Sequence, residues 1–99
     1  MSAKPHEHEK EGHNSFVSVA VATTDGYYPG EGYAKVPANQ PIKVILDKAA
    51  KELHLVDTSG YIATVGGKEV NTSLSYLDNG LQGDITIDFR KVEGGGGNR

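Results

Sequence analysis

The sequence contains no cysteine, which removes disulfides, thiol nucleophiles and thiolate metal sites at once and leaves the redox compartment open. No run of apolar residues approaches the roughly 20 needed to span a bilayer, and residues 1–14 hold no apolar core of the signal-peptide kind. The expectation is a cytoplasmic chain with no membrane partner. Positive charge is not in excess, with Lys+Arg 10 against Asp+Glu 13 and a net charge of -3. No basic stripe is interleaved with aromatics, so nucleic acid is not an expected partner. A coherent cluster of general bases around a nucleophile is also missing. The sequence therefore suggests no catalytic residue, no metal site, no cofactor and no enzyme.

What is present makes one small domain: 99 residues, 36% of them hydrophobic, are enough for a modest core. Residues 1–14 carry Lys4, Glu7, Glu9, Lys10 and Glu11 among His6, His8 and His13. A segment so poor in apolar residues cannot repay the entropy of ordering, and it reads as a disordered tail. Its alternating His and Glu suit charge and solubility better than a metal tract. The domain is expected over 15–93, with a flexible Gly-rich tail at 94–99.

In the domain, Val17, Val19 and Val21 alternate with Ser18, Ala20 and Ala22, the period of a half-buried strand, and Phe16 has the outward parity. Thr24-Asp25-Gly26 signals a turn, and a second turn signal follows before Tyr33-Ala34-Lys35-Val36 resumes extended character. Together they predict a hairpin with a long irregular tip carrying Tyr27 and Tyr28. Those rings either present a contact surface or fold back over the sheet edge. Asn39 is offered as a helix cap ahead of Pro41. Ile42, Ile45, Leu46, Ala49, Ala50 and Leu53 then form one apolar helical face, with Lys43, Asp47, Lys48, Lys51 and Glu52 mostly opposite. His54 sits near the helix end as a structural residue. Tyr61 to Val65 reads as a strand, Gly66-Gly67 as a two-residue turn needing positive φ, and Lys68-Glu69-Val70 as the return strand. Residues 72–77 predict one helical turn, Asp78-Asn79-Gly80 a further turn, and Asp84 to Val92 the last strand, with Ile85, Ile87 and Phe89 on one face.

A single amphipathic helix can cover only one face of such a sheet, so two layers should share one core and the other face should be wet. The last strand is the candidate for the centre, parallel to the first across a right-handed crossover through the helix. This is the outline of an α+β β-grasp with a mixed four- to five-stranded sheet. The segment Gly94-Gly95-Gly96-Gly97 before Asn98-Arg99 adds nothing to such a core, and from composition alone it reads as a frayed tail.

The ordered set Val65-Gly66-Gly67-Lys68-Glu69-Val70, Leu74-Ser75-Tyr76-Leu77 and Asp84-Ile85-Thr86-Ile87-Asp88-Phe89-Arg90 followed by glycines resembles the second half of ubiquitin. Phe16-Val17, Val36, Ile42, Ile45 and Ala49 fit the first half, so the resemblance runs over roughly 15–97. The histidine-rich N-terminal extension, the glycine-rich tip of the first hairpin and the residues after the C-terminal glycines resemble bacterial ubiquitin-like proteins encoded beside activating, conjugating and deconjugating enzymes, a resemblance that implies antiviral defence as one setting. The resemblance implies a protein modifier whose terminal glycine is activated with ATP, passed to enzyme cysteines and joined to target proteins. Its implied partners are an activating enzyme, a conjugating enzyme, a processing or deconjugating peptidase and the targets. Gly94, Gly95, Gly96 and Gly97 would form the conjugation and processing segment, ending at Gly97 or Gly95 once Asn98-Arg99 are removed. Arg90 would contact the activating enzyme, and Lys68 would sit where a chain-forming lysine does.

There are departures. Thr64 and Asp88 stand where the family carries an exposed isoleucine and valine, so the apolar patch read by ubiquitin receptors is not reproduced, and Glu93 lengthens the spacing from arginine to glycines. Two alternatives remain. One is a sulfur carrier ending in a thiocarboxylate. The other is a non-conjugated interaction module that binds a partner or a second copy through Tyr27, Tyr28 and the open sheet face.

Overall fold

The computed structural model describes residues 15–92; the tails expected at 1–14 and 94–99 lie outside the described residues. The elements run β1 (Phe16–Thr23), β2 (Gly26–Tyr28), β3 (Ala34–Pro37), α1 (Lys43–Glu52), β4 (Tyr61–Val65), β5 (Lys68–Glu69) and β6 (Asp84–Lys91). They form one mixed sheet in the order β2-β1-β6-β4-β5, with β3 also paired to β1. β6 lies between β1 and β4, parallel to the first and antiparallel to the second.

Period-two alternation decides which side of each strand enters the core. Val17, Val19 and Val21 of β1 are level with Val36 of β3 and with Ile85 and Ile87 of β6, and all of them are buried. Phe89 and its register partner Ala63 continue that layer. α1 closes the layer with Ile42, Ile45, Leu46 and Ala49 from the predicted stripe. Phe16 has the opposite parity, as expected, and is 51% exposed, with the Lys35 ammonium 4.8 Å from its ring centre.

The first hairpin differs from the expectation. Its turn is tight: the Thr23 hydroxyl donates to the Gly26 carbonyl at 2.9 Å and accepts from the Asp25 N–H at 3.0 Å. The irregularity falls instead in the middle of the return strand, splitting it into β2 and β3 on the same edge of β1. Pro29 has no N–H to give the ladder, and Gly30 and Gly32 leave the extended region at φ 122° and 71°. Tyr27 and Tyr28 therefore belong to a strand rather than to an irregular tip.

The start of α1 is a second correction. Asn39 is not the cap, because the helix begins at Lys43 after Ile42 and has no side-chain cap. Its orphan donors go to a distant loop: the Ile42 N–H donates to the Leu74 carbonyl at 3.0 Å and the Lys43 N–H to the Thr72 carbonyl at 2.9 Å. At the other end, the Leu55 N–H reaches the Ala50 carbonyl and the His54 N–H reaches the Lys51 carbonyl. With His54 at φ 57°, this is a Schellman ending with histidine where glycine is usual.

Residues 72–77 form turns on either side of an isolated β-bridge from Ser75 to Pro41, rather than the helical turn expected. Asn79 holds this loop, a role not visible in the sequence. Its side chain accepts from the Asn71 N–H and donates to the carbonyls of Asn71 and Ser75. Within the loop Tyr76 is fully buried, and its hydroxyl has no hydrogen-bond partner among the described residues. A buried unpaired hydroxyl costs free energy, so Tyr76→Phe should be neutral or more stable by up to about 1 kcal/mol at neutral pH. Burial also pushes the hydroxyl from its ordinary 10.0 up to about 12. The folded chain then keeps a proton that the unfolded chain releases, so this contribution is complete below about pH 10 and fades from there to about pH 12. Urea denaturation of wild type and Tyr76→Phe across that range should show the wild type losing stability relative to the variant. Parallel pH profiles would contradict the assignment.

Candidate functional site: the open sheet face and the last strand

With α1 on one side of the sheet, the opposite parity of every strand faces outward. On β6 that set is Asp84, Thr86, Asp88 and Arg90. Beside it stand Ser18, Ala20 and Ala22 of β1, and Ile62 and Thr64 of β4. Asp88 is level with Ala22 on one side and Thr64 on the other, and Arg90 is level with Ile62. The Arg90 guanidinium donates from Nη2 to Asp88 Oδ1 at 3.2 Å, with the two side chains 46% and 44% exposed. An exposed pair of this kind contributes about 0–1 kcal/mol. Arg90 is thus held along its own strand without being committed to the core.

A shallow depression of about 170 Å³ runs beside this pair, lined by Ile62, Thr64, Asp88, Arg90, Lys91 and Val92. The Val92 N–H, from one of its lining residues, donates to the Gly60 carbonyl at 3.3 Å. Gly94, Gly95, Gly96 and Gly97 follow Glu93 in the sequence and lie outside the described residues.

The other candidates lie elsewhere. Lys68 is exposed on β5, just after a turn in which Gly66 and Gly67 both have positive φ, 62° and 86°. A Cβ at either glycine would meet nothing within 4 Å. Backbone conformation, not space, therefore requires glycine there. Tyr27 and Tyr28 part company: Tyr27 is 64% exposed on the open face opposite Ala22, whereas Tyr28 packs against the core opposite Val21. Tyr27 and Lys68 sit at opposite edges of the sheet, so they do not form one site. Among the described residues no group of His, Asp and Glu could hold a metal ion, and no helix is long and apolar enough to cross a membrane.

No protein-family model and no curated protein matches the sequence. Solved structures do match by shape. A de novo design based on ubiquitin superposes with a TM-score of 0.60 at 14% identity, over 86% of this chain and 99% of the design. The ubiquitin-like domain of tubulin-binding cofactor B gives a TM-score of 0.61 at 17% identity, over 82% of this chain and 94% of that domain. The chain has a ubiquitin-like β-grasp fold.

Within that fold the open face is polar at its middle, because Thr64 and Asp88 stand opposite each other there. The exposed apolar side chains Phe16 and Tyr27 lie toward the other side of the sheet, on β1 and β2. Arg90→Ala should change unfolding free energy by less than about 0.5 kcal/mol, as for other exposed positions. A clearly larger loss in urea denaturation would mean that Arg90 is structural.

Proposed function

We propose that this ubiquitin-like domain is a protein modifier, trimmed after a glycine of 94–97 and conjugated through the carboxylate so exposed. The observation that carries this reading is the position of β6. The central strand of the sheet keeps Arg90 exposed on its outward face and continues in sequence directly into Glu93 and four glycines. Such an arm gives a carboxylate the reach and access to enter a narrow active-site channel, where a side chain would clash or restrict φ.

The chemistry is supplied by other proteins. A peptidase hydrolyses the bond after Gly97, or after Gly95, releasing the residues beyond it. An activating enzyme lets the new carboxylate attack the α-phosphorus of ATP, with pyrophosphate leaving. An enzyme thiolate then displaces AMP to form a thioester, and an amine or hydroxyl of a target displaces the thiolate. Throughout, the domain is a substrate, and Arg90 is its handle for the activating enzyme. Because the middle of the open face is polar, receptors that need ubiquitin's apolar patch do not bind it. A cytoplasmic setting beside bacterial activating and deconjugating enzymes fits this role.

A second reading is favoured by the exposed Tyr27 and Phe16: an interaction module that binds through the open face without being conjugated. Charging assays separate the two. With its activating enzyme and ATP, the domain ending at Gly97 should form a thioester, and Arg90→Ala should slow charging about tenfold, the loss of roughly one charge-assisted contact. A domain lacking 94–99 that keeps full cellular function, or equal charging of Arg90→Ala, would count against the modifier reading and against the handle respectively.

A further inference from the structure

We infer that Asn79-Gly80 is a spontaneous deamidation site that the fold holds in check, and that its conversion releases the 71–80 loop from the start of α1. The chemistry requires only this dipeptide and water. The backbone nitrogen of a glycine is the least hindered nucleophile that can follow an asparagine. It attacks the side-chain carbonyl carbon to close a five-membered succinimide, the amide nitrogen leaves as ammonia, and the proton from the glycine amide is lost. Water then opens the ring to aspartate or, by cleavage at the other carbonyl, to isoaspartate.

The folded loop blocks both participants. The Gly80 N–H donates to the Leu77 carbonyl at 2.9 Å. The Asn79 carboxamide is held on three sides: Oδ1 accepts from the Asn71 N–H at 3.0 Å, and Nδ2 donates to the Asn71 carbonyl at 2.9 Å and the Ser75 carbonyl at 2.8 Å. Turning the carbonyl carbon toward the Gly80 nitrogen means breaking these bonds together, so reaction proceeds only from an opened loop.

The product cannot restore the clamp. A carboxylate at position 79 has no donor, so the Asn71 and Ser75 carbonyls lose the two side-chain bonds, keep only the Leu74 and Asn79 backbone N–H groups respectively, and face a negative charge. Isoaspartate also inserts a methylene into the backbone beside the Asn79 N–H, which donates to the Ser75 and Tyr76 carbonyls. The same loop presents the Leu74 and Thr72 carbonyls that take the Ile42 and Lys43 N–H groups. Loss of the clamp therefore reaches the first turn of α1, which has no side-chain cap of its own. Because the reaction is irreversible, the site records how long the loop has been open.

The test follows the full chain by intact mass and peptide mapping at mildly alkaline pH, folded and in denaturing urea. Deamidation at Asn79 should be at least about tenfold slower in the folded protein, which needs no more than a tenfold excess of closed over open loop. Equal rates would overturn the protection. Hydrogen exchange on Asn79→Asp tests the consequence: the Ile42 and Lys43 amides should exchange faster while those of β1 and β6 keep their protection. Unchanged exchange at Ile42 and Lys43 would overturn the link to the helix.

Discussion

The parallel pairing of β1 with β6 is the constraint on which the rest of the structure depends. Neighbouring parallel strands cannot be joined by a tight turn, so the chain must leave the sheet, cross one face and return. α1 makes that crossing, and its apolar stripe is what the inward rows Val17, Val19, Val21 and Ile85, Ile87, Phe89 pack against. One helix covers one face. The opposite face is left to Ser18, Ala20, Thr86, Asp88 and Arg90.

Placing the last strand at the sheet centre also governs the function proposed. β6 is held on both sides, by β1 and by β4, so it is a firm anchor for whatever follows it in sequence. Its outward residues are fixed in register, which puts Arg90 beside Ile62 and two residue pairs along from Thr64 and Asp88, on the same face. In the modifier reading proposed above, Arg90 serves as the recognition handle, and the chemistry is done by other proteins. The exposed Arg90–Asp88 pair contributes little to stability, so breaking it costs the fold little.

Much of this was legible in the sequence where a period was strong. Valine alternation gave β1 its parity, Ile85, Ile87 and Phe89 gave β6 its own, and the spacing from Ile42 to Leu53 marked the helix. Arg90 was readable as exposed because it has the parity opposite to Phe89. What escaped had non-local causes. Asn39 looked like a cap because the loop carbonyls that take the first helical N–H groups come from Thr72 and Leu74, far along the chain. Tyr27 and Tyr28 looked alike until strand pairing put them on opposite faces. Asn79 read as a turn residue, since nothing local marks an asparagine whose side chain reaches back to Asn71.

The most direct measurement is the intact mass of the protein recovered from its native host, free and attached. A modifier is expected as a chain ending at Gly97 or Gly95, together with the same chain joined through that glycine to other proteins. Recovery only of a chain that still carries Asn98-Arg99, with no adduct, would contradict it.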